Sequence, residues 1–494
     1  MNSPKAQKAR VAVTPSEVPE GCYAWFVLLS CFMVFGLTFG VIKAFGVFYV
    51  EIHQYFETTA TRTSWITSIA VAIIHVGAPI ASALSVRFSY RSVVIMGGLI
   101  CSVGVVIGAF ARNLTELYLT VGFLNGFGYA LTWTPTVTML GLYFERRRPV
   151  ANALASAGEC IFTFIITPLF QLLIDNYSWR GAMMILGGLQ LNLCVCGMLL
   201  RPLKATRDVI HLSEEEGVSL ELLKKEDLDQ DKQSYSGSKE LRISEGADHE
   251  TITAEEIPNS TMTAQNSNSR TKRAELRTNI LRYVDYTLIT NARFMIYSMF
   301  GLFAALGFFA PALFLVPYAR SKGIGEYEAA ALMSISAAMD LFGRVFFGWV
   351  ANLRLVEMVQ QLTATVILLG TVLLLCPLTS SFLELAAFSA AYGLAYGATV
   401  AIHITVLVEI VGANRLGSAL GFFMLIRSSG GLLGPPIAGF FIDKMNDYGT
   451  GFLMAGVALI VSALFLLLLH QMNRMVKGSN SKSNTHTDKM EQSC

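Results

Sequence analysis

Charged residues are scarce in this chain. Lys, Arg, Asp and Glu make up 15% of its 494 residues, whereas soluble globular domains carry about 25%. Hydrophobic residues make up 53%, and a soluble fold cannot bury that much apolar surface. The composition therefore excludes an ordinary soluble domain and indicates a protein that crosses a membrane many times.

Several functional signatures are also missing. The net charge is only +2 and no basic face is visible, which gives no reason to expect a nucleic-acid partner. The chain has no glycine-lysine phosphate loop, so ATP-driven transport is unsupported. The spacing of the residues indicates no serine or cysteine nucleophile with a basic partner. The side chains of Cys194 and Cys196 point in different directions on a helix, so the two cysteines alone would not form a metal site. We therefore expect no enzyme, no cofactor and no metal site.

Twelve long apolar stretches are present instead, six on each side of a polar segment, and each is long enough to cross a bilayer. We number them as spans 1 to 12. They lie at about 23–48, 65–86, 92–111, 116–142, 150–174, 181–200, 289–317, 328–351, 356–376, 382–408, 416–442 and 450–470. Span 1 is too long and aromatic for a cleavable signal peptide, so we expect it to be retained.

The polar segment divides the chain into two halves. It is rich in Glu, Asp, Lys, Ser, Thr and Asn, which predicts a disordered linker. Two six-span halves around a midplane site are the layout of a duplicated transporter of the major facilitator type. We therefore predict an all-α membrane protein with twelve transmembrane helices. The predicted boundaries are a tail at 1–22, an N-terminal half at 23–202, the linker at 203–286, a C-terminal half at 287–471 and a tail at 472–494.

The loops on one side of the predicted bundle carry most of the basic residues. These are Arg87, Arg91, Arg146 to Arg148, Arg354 and Arg415. Because cytoplasmic loops are enriched in Lys and Arg, this side is predicted to be cytoplasmic. Both termini are then cytoplasmic as well.

Five ionisable side chains fall inside predicted spans, where each costs about 3 kcal/mol and is a functional candidate by default. They are Lys43 in span 1, Glu159 in span 5, Asp340 and Arg344 in span 8, and Arg427 in span 11. Asp340 and Arg344 lie four residues apart, so they share a helix face and can form an ion pair. Three positive charges against two negative ones leave one positive charge in excess.

One uncompensated positive charge in a low-dielectric cavity is suited to one small organic anion. If the pair with Arg344 opens, burial disfavours the charge on Asp340, which could then couple a proton to the anion. Purely structural roles stay open as alternatives. The Asp340–Arg344 pair could be a permanent bridge, and the Lys43 side chain could extend to the outer interface of the membrane. Glu159 could face Arg427, a helix end or a water-filled path.

His75 and His403 are single imidazoles in spans 2 and 10 and could relay protons. More often such residues only hydrogen-bond within the bundle. Aromatic residues could line a pocket, although aromatics at helical spacing usually serve packing. These are Phe45, Tyr392 and Tyr396.

Two motifs carry a resemblance to a known family. One lies at the start of span 1 and the other leads into span 5; they read Glu20-Gly21-Cys22-Tyr23-Ala24-Trp25 and residues 143–158. The chain resembles the monocarboxylate transporter family, solute carrier family 16, over both halves, with Cys22 as a departure. The resemblance implies a plasma-membrane carrier of small monocarboxylates of the lactate, pyruvate or ketone-body type, linked to protons and working by alternating access. Some members also need a single-span immunoglobulin-type chaperone.

The resemblance also implies roles for individual residues. Lys43, Asp340 and Arg344 occupy the family's substrate and proton site. Lys43 would accept the proton and then the carboxylate, Asp340 would take the proton during reorientation, and Arg344 would hold the anion or release Asp340. Arg147 in the second motif would belong to a cytoplasmic gate, or would serve only as a positive anchor at the cytoplasmic side. Independently of the resemblance, their charge inside the spans makes Glu159 and Arg427 candidates for specificity or for a supporting layer around the site.

Glu159 departs from the lactate-type pattern, in which this position is uncharged. Residues 41–49 and 158–160 resemble the monocarboxylate transporter 7 subgroup more than the lactate and pyruvate carriers. This leaves an alternative function: a pH-independent facilitative carrier or exchanger of a larger or zwitterionic solute, whose amino group Glu159 would pair.

Overall fold

Helices account for almost all of the residues that the computed structural model describes, which are 22–144, 148–201, 287–353, 356–412 and 415–491. No strand occurs within these ranges. The predicted linker, most of the N-terminal tail and Arg147 lie outside the described residues. The helices on both sides of the linker belong to one unit.

Span 1 contains an irregular turn just before Lys43. The chain forms the helix Cys22–Phe35, a π-helical turn at Gly36–Gly40, and the helices Val41–Ala44 and Gly46–Tyr55. Single π-helical turns are rare and are found frequently at functional sites.

Spans 2 to 6 follow as helices with short connections. Their bounds are Ala60–Phe88, Tyr90–Ala109, Leu114–Leu117 with a π-helical Tyr118–Leu124, Asn125–Tyr143, Arg148–Gln190 and Asn192–Leu199. The loop predicted between spans 5 and 6 is almost absent from the structure. The helix is interrupted only at Ser178, which has φ 60° and ψ 169°. One residue outside helical geometry is enough to redirect the chain.

The second half repeats this pattern. Its helices are Thr287–Thr290, Ala292–Ser321, Glu326–Asn352, Met358–Leu375 with a 3₁₀ turn at Cys376–Leu378, Phe382–Val411, Leu416–Met445 and Gly449–Glu491. The last helix continues past residue 471, so the predicted polar tail is helical up to Glu491.

Nine helical segments within the described ranges are long and apolar enough to cross a membrane. One of them, Val150–Leu199, contains two predicted spans. Spans 4 and 11 are helical too, although they are not among the nine. The helices are consistent with the twelve-span layout.

Glycines bring the helices around the charged residues close together. Gly158 of span 5 lies against the backbone of Phe32 in span 1, and Gly397 of span 10 lies against the backbone of Asp340 in span 8. A side chain at either glycine would collide with a backbone oxygen. This close approach places Glu159 beside span 1 and holds the Asp340 turn firmly against span 10.

Candidate transport site

Four charged side chains from three spans meet inside the bundle. We call Lys43, Glu159, Asp340 and Arg344 the four-charge cluster. The Lys43 Nζ atom lies 2.7 Å from Glu159 Oε1 and 2.8 Å from Asp340 Oδ2. Asp340, Glu159 and Arg344 expose only 2%, 7% and 8% of their surface. The sequence predicted each residue as a candidate, and the fold brings all four together.

Arg344 completes the four-charge cluster. Its Nε donates to Asp340 Oδ1 at 2.8 Å, and its Nη2 donates to Asp340 Oδ2 at 3.1 Å and to Glu159 Oε2 at 3.0 Å. The predicted Asp340–Arg344 ion pair is thus confirmed. Both of its members lie on the same helix, so the links between helices come from Lys43 and Glu159.

The charges of the cluster alternate. Each carboxylate contacts both cations, and two positive charges balance two negative ones. Taking one partner away from a buried ion pair costs about 3–5 kcal/mol, because the remaining charge stays desolvated without compensation. Any event that opens the cluster must therefore supply a replacement charge or remove one.

A cavity between the two halves adjoins the cluster. Lys43 and Glu159 face it together with Thr67, Phe308 and Tyr396. The Lys43 Nζ lies 4.3 Å from the centroid of the Tyr396 ring, a cation–π distance. Mostly apolar walls with a few convergent polar groups are typical of small-molecule sites.

Arg427 lies apart from the four-charge cluster. Within the described ranges, no carboxylate comes within ion-pair distance of its guanidinium. Its Cζ atom lies 5.6 Å from the centroid of the Phe308 ring. Of the three partners considered for Glu159 from the sequence, Arg427 is therefore not its ion-pair partner; Lys43 and Arg344 are.

The two candidate histidines hydrogen-bond within their own helices. His75 Nδ1 lies 2.7 Å from the Val71 carbonyl oxygen, and His403 Nδ1 lies 2.8 Å from that of Val400. Because a carbonyl oxygen only accepts, both Nδ1 atoms carry the proton. These contacts fit the alternative in which both histidines only hydrogen-bond within the bundle.

A second set of contacts, which the sequence did not predict, joins the two halves near one end of the bundle. We call it the outer contacts. Asp443 accepts hydrogen bonds from the backbone N–H groups of Ala60 at 2.7 Å and Thr61 at 2.9 Å, the first turn of the span 2 helix. Arg320 pairs with Glu51 at 3.1 Å. The first N–H groups of a helix have no partner within that helix, so the start of the span 2 helix needs an acceptor. This need was the only sequence signal that could have pointed to a carboxylate such as Asp443.

His53 lies beside the outer contacts, beyond the membrane-spanning part of span 1. It is half-buried, and its Nδ1 lies 3.3 Å from Thr63 Oγ1. Burial lowers the pKa of His53, and the charge of Asp443 partly opposes that shift. The neutral imidazole is therefore favoured at this end.

Comparison with known proteins identifies the family. The Major Facilitator Superfamily model matches residues 28–372 and 361–491. Monocarboxylate transporter 2 of Mesocricetus auratus is 33% identical over 478 residues, which cover 95% of this chain and 90% of that protein. The chain belongs to the monocarboxylate transporter family. The predicted family and fold are thereby confirmed, and the chain is a multi-pass membrane protein.

Identity alone does not place this monocarboxylate transporter family member in a subgroup. Monocarboxylate transporter 7 of Homo sapiens is 34% identical, covering 92% of this chain and 87% of its own length, which is close to the value for monocarboxylate transporter 2. A solved structure of a POT family transporter in complex with a thioalcohol-conjugated peptide has a TM-score of 0.63 at 13% identity. It covers 91% of this chain and 96% of its own, and the likeness concerns the fold alone.

Proposed function

We propose that this chain carries small monocarboxylates across the plasma membrane, each together with one proton, by alternating access. The observation that carries the proposal is the closed, electrically neutral four-charge cluster between the two halves. Lys43, Asp340 and Arg344 are its substrate and proton residues, and Glu159 completes it.

Neutrality of the cluster supports the coupling to protons. A substrate carboxylate that enters the cluster alone would add a negative charge where no positive charge is spare, because Lys43 and Arg344 are both paired, and a low dielectric makes this costly. A carboxylate that enters with a proton adds no net charge. One proton for each anion is therefore the stoichiometry that keeps the cluster neutral.

The contacts of the cluster support an order of events. Lys43 lies between two carboxylate oxygens, the arrangement of a charged ammonium, so the incoming proton goes to a carboxylate. When Asp340 takes it, the contact between Asp340 and Lys43 weakens, and the ammonium is free to bind the substrate carboxylate. Arg344 retains Glu159 as its charged partner. This refines the order implied by the family resemblance, in which Lys43 takes the proton first.

The same contacts support alternating access. Lys43 and Glu159 belong to the N-terminal half, whereas Asp340 and Arg344 belong to the C-terminal half, so each half carries one positive and one negative charge. When the halves separate at this level, the pair inside each half remains. Only the contacts between halves, from Lys43 to Asp340 and from Arg344 to Glu159, must break.

Uptake of labelled lactate, 3-hydroxybutyrate and an aromatic amino acid tests the proposal in cells that express the protein. Uptake is measured at outer pH 6 and 7.5, with the amount of protein at the surface quantified. We expect monocarboxylate uptake that rises at pH 6. The variant Glu328→Gln, which removes an exposed carboxylate of span 8, should show the same rise and is the matched control for Asp340→Asn in the same helix. Uptake indifferent to pH, or confined to the amino acid, would favour the facilitative alternative with Glu159 as specificity residue.

Cellular placement belongs to the same proposal. The basic loops support a cytoplasmic position for both termini, and terminal epitope tags that antibodies reach only after permeabilisation are the expected result.

Arg147 is proposed as a cytoplasmic gate residue; Arg147→Gln should change the rate of transport but leave the substrate preference intact. A single-span immunoglobulin-type chaperone is tested by whether its co-expression raises the surface amount.

A further inference from the structure

Arg427 is a partly buried cation that the proposed mechanism leaves unused. It lies in the span 11 helix, Leu416–Met445, and the described part of the chain places no acidic partner next to it. Lys43 and Arg344 are each neutralised by Glu159 and Asp340. The excess positive charge counted from the sequence therefore resides on Arg427.

A pair of aromatic rings connects Arg427 to the four-charge cluster. The Phe308 and Tyr396 ring centroids lie 5.5 Å apart with the ring planes at 72°. Arg427 lies against Phe308 at 5.6 Å, and Lys43 lies against Tyr396 at 4.3 Å. Both rings line the cavity. Two cations thus lie on adjoining rings, one with carboxylate partners and one without.

We propose that Arg427 is a second anion-binding station, which holds the substrate carboxylate before Lys43 is free to take it. The inference rests on the proposed function and deepens it. A guanidinium binds a carboxylate with two parallel N–H donors, a geometry suited to a small monocarboxylate. Because Arg427 has no carboxylate to release, this first step needs no proton.

The two stations then differ in chemistry. At Arg427 the anion meets a free positive charge at any pH at which it is ionised. At Lys43 it must wait until a proton on Asp340 removes a competing carboxylate. Transfer from Arg427 to Lys43 runs past Phe308 and Tyr396, whose faces favour cations and offer no second binding point to an anion.

Binding can be separated from transport with a charge-balanced variant. The double variant Lys43→Gln/Asp340→Asn removes one cation and one anion, so the cluster stays neutral and loses its substrate station. The purified variant should not transport, yet at pH 8 lactate and 3-hydroxybutyrate should raise its Tm about as much as they raise that of the wild type. Adding Arg427→Gln should abolish this shift, whereas adding Ser429→Ala, a matched change in the same helix, should not.

Two results would overturn the proposal: no Tm shift in the double variant, or a shift that survives the addition of Arg427→Gln. Failure of the proposed function looks different, because the wild type itself would then transport no monocarboxylate. Kinetics give an independent measurement. Arg427→Gln alone should raise KM roughly tenfold, as expected for a lost charge-assisted hydrogen bond, without changing the ratio of uptake at pH 6 to uptake at pH 7.5. Arg427→Lys should restore part of the KM.

Discussion

The four-charge cluster and the outer contacts both join the two halves through carboxylates, but in different surroundings. In the cluster, carboxylates face cations in the buried interior, and every member has a partner within its own half. In the outer contacts, Asp443 faces backbone N–H groups of the opposite half, and Arg320 and Glu51 keep about a fifth and a quarter of their side chains exposed.

This difference explains how two sets of contacts can join the halves and still allow them to separate during transport. Groups of the outer contacts that separate become hydrated, so breaking the partly exposed Arg320–Glu51 pair costs less than breaking a buried pair. Asp340, Glu159 and Arg344 of the cluster are buried, and all four members instead retain their partner within the half. The outer contacts can therefore act as a simple latch, whereas the cluster responds to a proton.

Asp340→Asn should have the largest effect. It removes the carboxylate that accepts the transported proton, and it also leaves two cations with one carboxylate, an uncompensated buried charge that costs about 3–5 kcal/mol. We expect proton-driven uptake to fall roughly 100-fold or more. Uptake driven by an inward proton gradient, divided by the surface amount, measures this. Undiminished uptake would remove Asp340 from the mechanism, and loss of surface protein would point to a structural role.

Glu159→Gln should have the next largest effect, and a different one. The cluster keeps the Asp340–Arg344 pair but gains a spare positive charge on Lys43, so an anion can enter without a proton. We expect the ratio of uptake at pH 6 to uptake at pH 7.5 to move towards one. Glu159→Asp, which keeps the charge, is the matched control and should retain the acid activation. An unchanged ratio in Glu159→Gln would mean that Asp340 alone sets the coupling.

The sequence carried much of this picture but not all of it. Apolar length predicted the helices, and the four-residue spacing predicted the Asp340–Arg344 pair, because both are local properties of one helix. The partners of Glu159 depend on how closely spans 1, 5 and 8 approach one another, and the close approach of spans 1 and 5 at Gly158 exists only once the helices pack. The Asp443 contact likewise depends on residues that are distant in the chain.

Asp443→Ala should have an intermediate effect. Its carboxylate accepts from two N–H groups at the start of span 2, and losing such a cap costs about 0.5–2 kcal/mol. The latch then opens more readily, so we expect KM and the maximal rate to change together by roughly 2- to 10-fold while the pH ratio stays as in the wild type. Arg320→Gln, which removes the partly exposed ion pair with Glu51, should change them less. A shifted pH ratio in Asp443→Ala would mean that the outer contacts and the cluster are not separate.

His53→Gln should have the smallest effect, and its sign follows from the lowered pKa of His53. Below the usual pKa of about 6.5, the unfolded chain binds a proton that the folded protein resists, so acid destabilises the fold through this residue. Above that pH the residue contributes nothing. Between pH 7.5 and 5.5 the Tm of the wild type should therefore fall slightly more than that of His53→Gln, by less than about 2 °C. The acid activation of uptake should be identical in both proteins, because it originates in the cluster; a weaker activation in His53→Gln would move part of the proton response to the outer end.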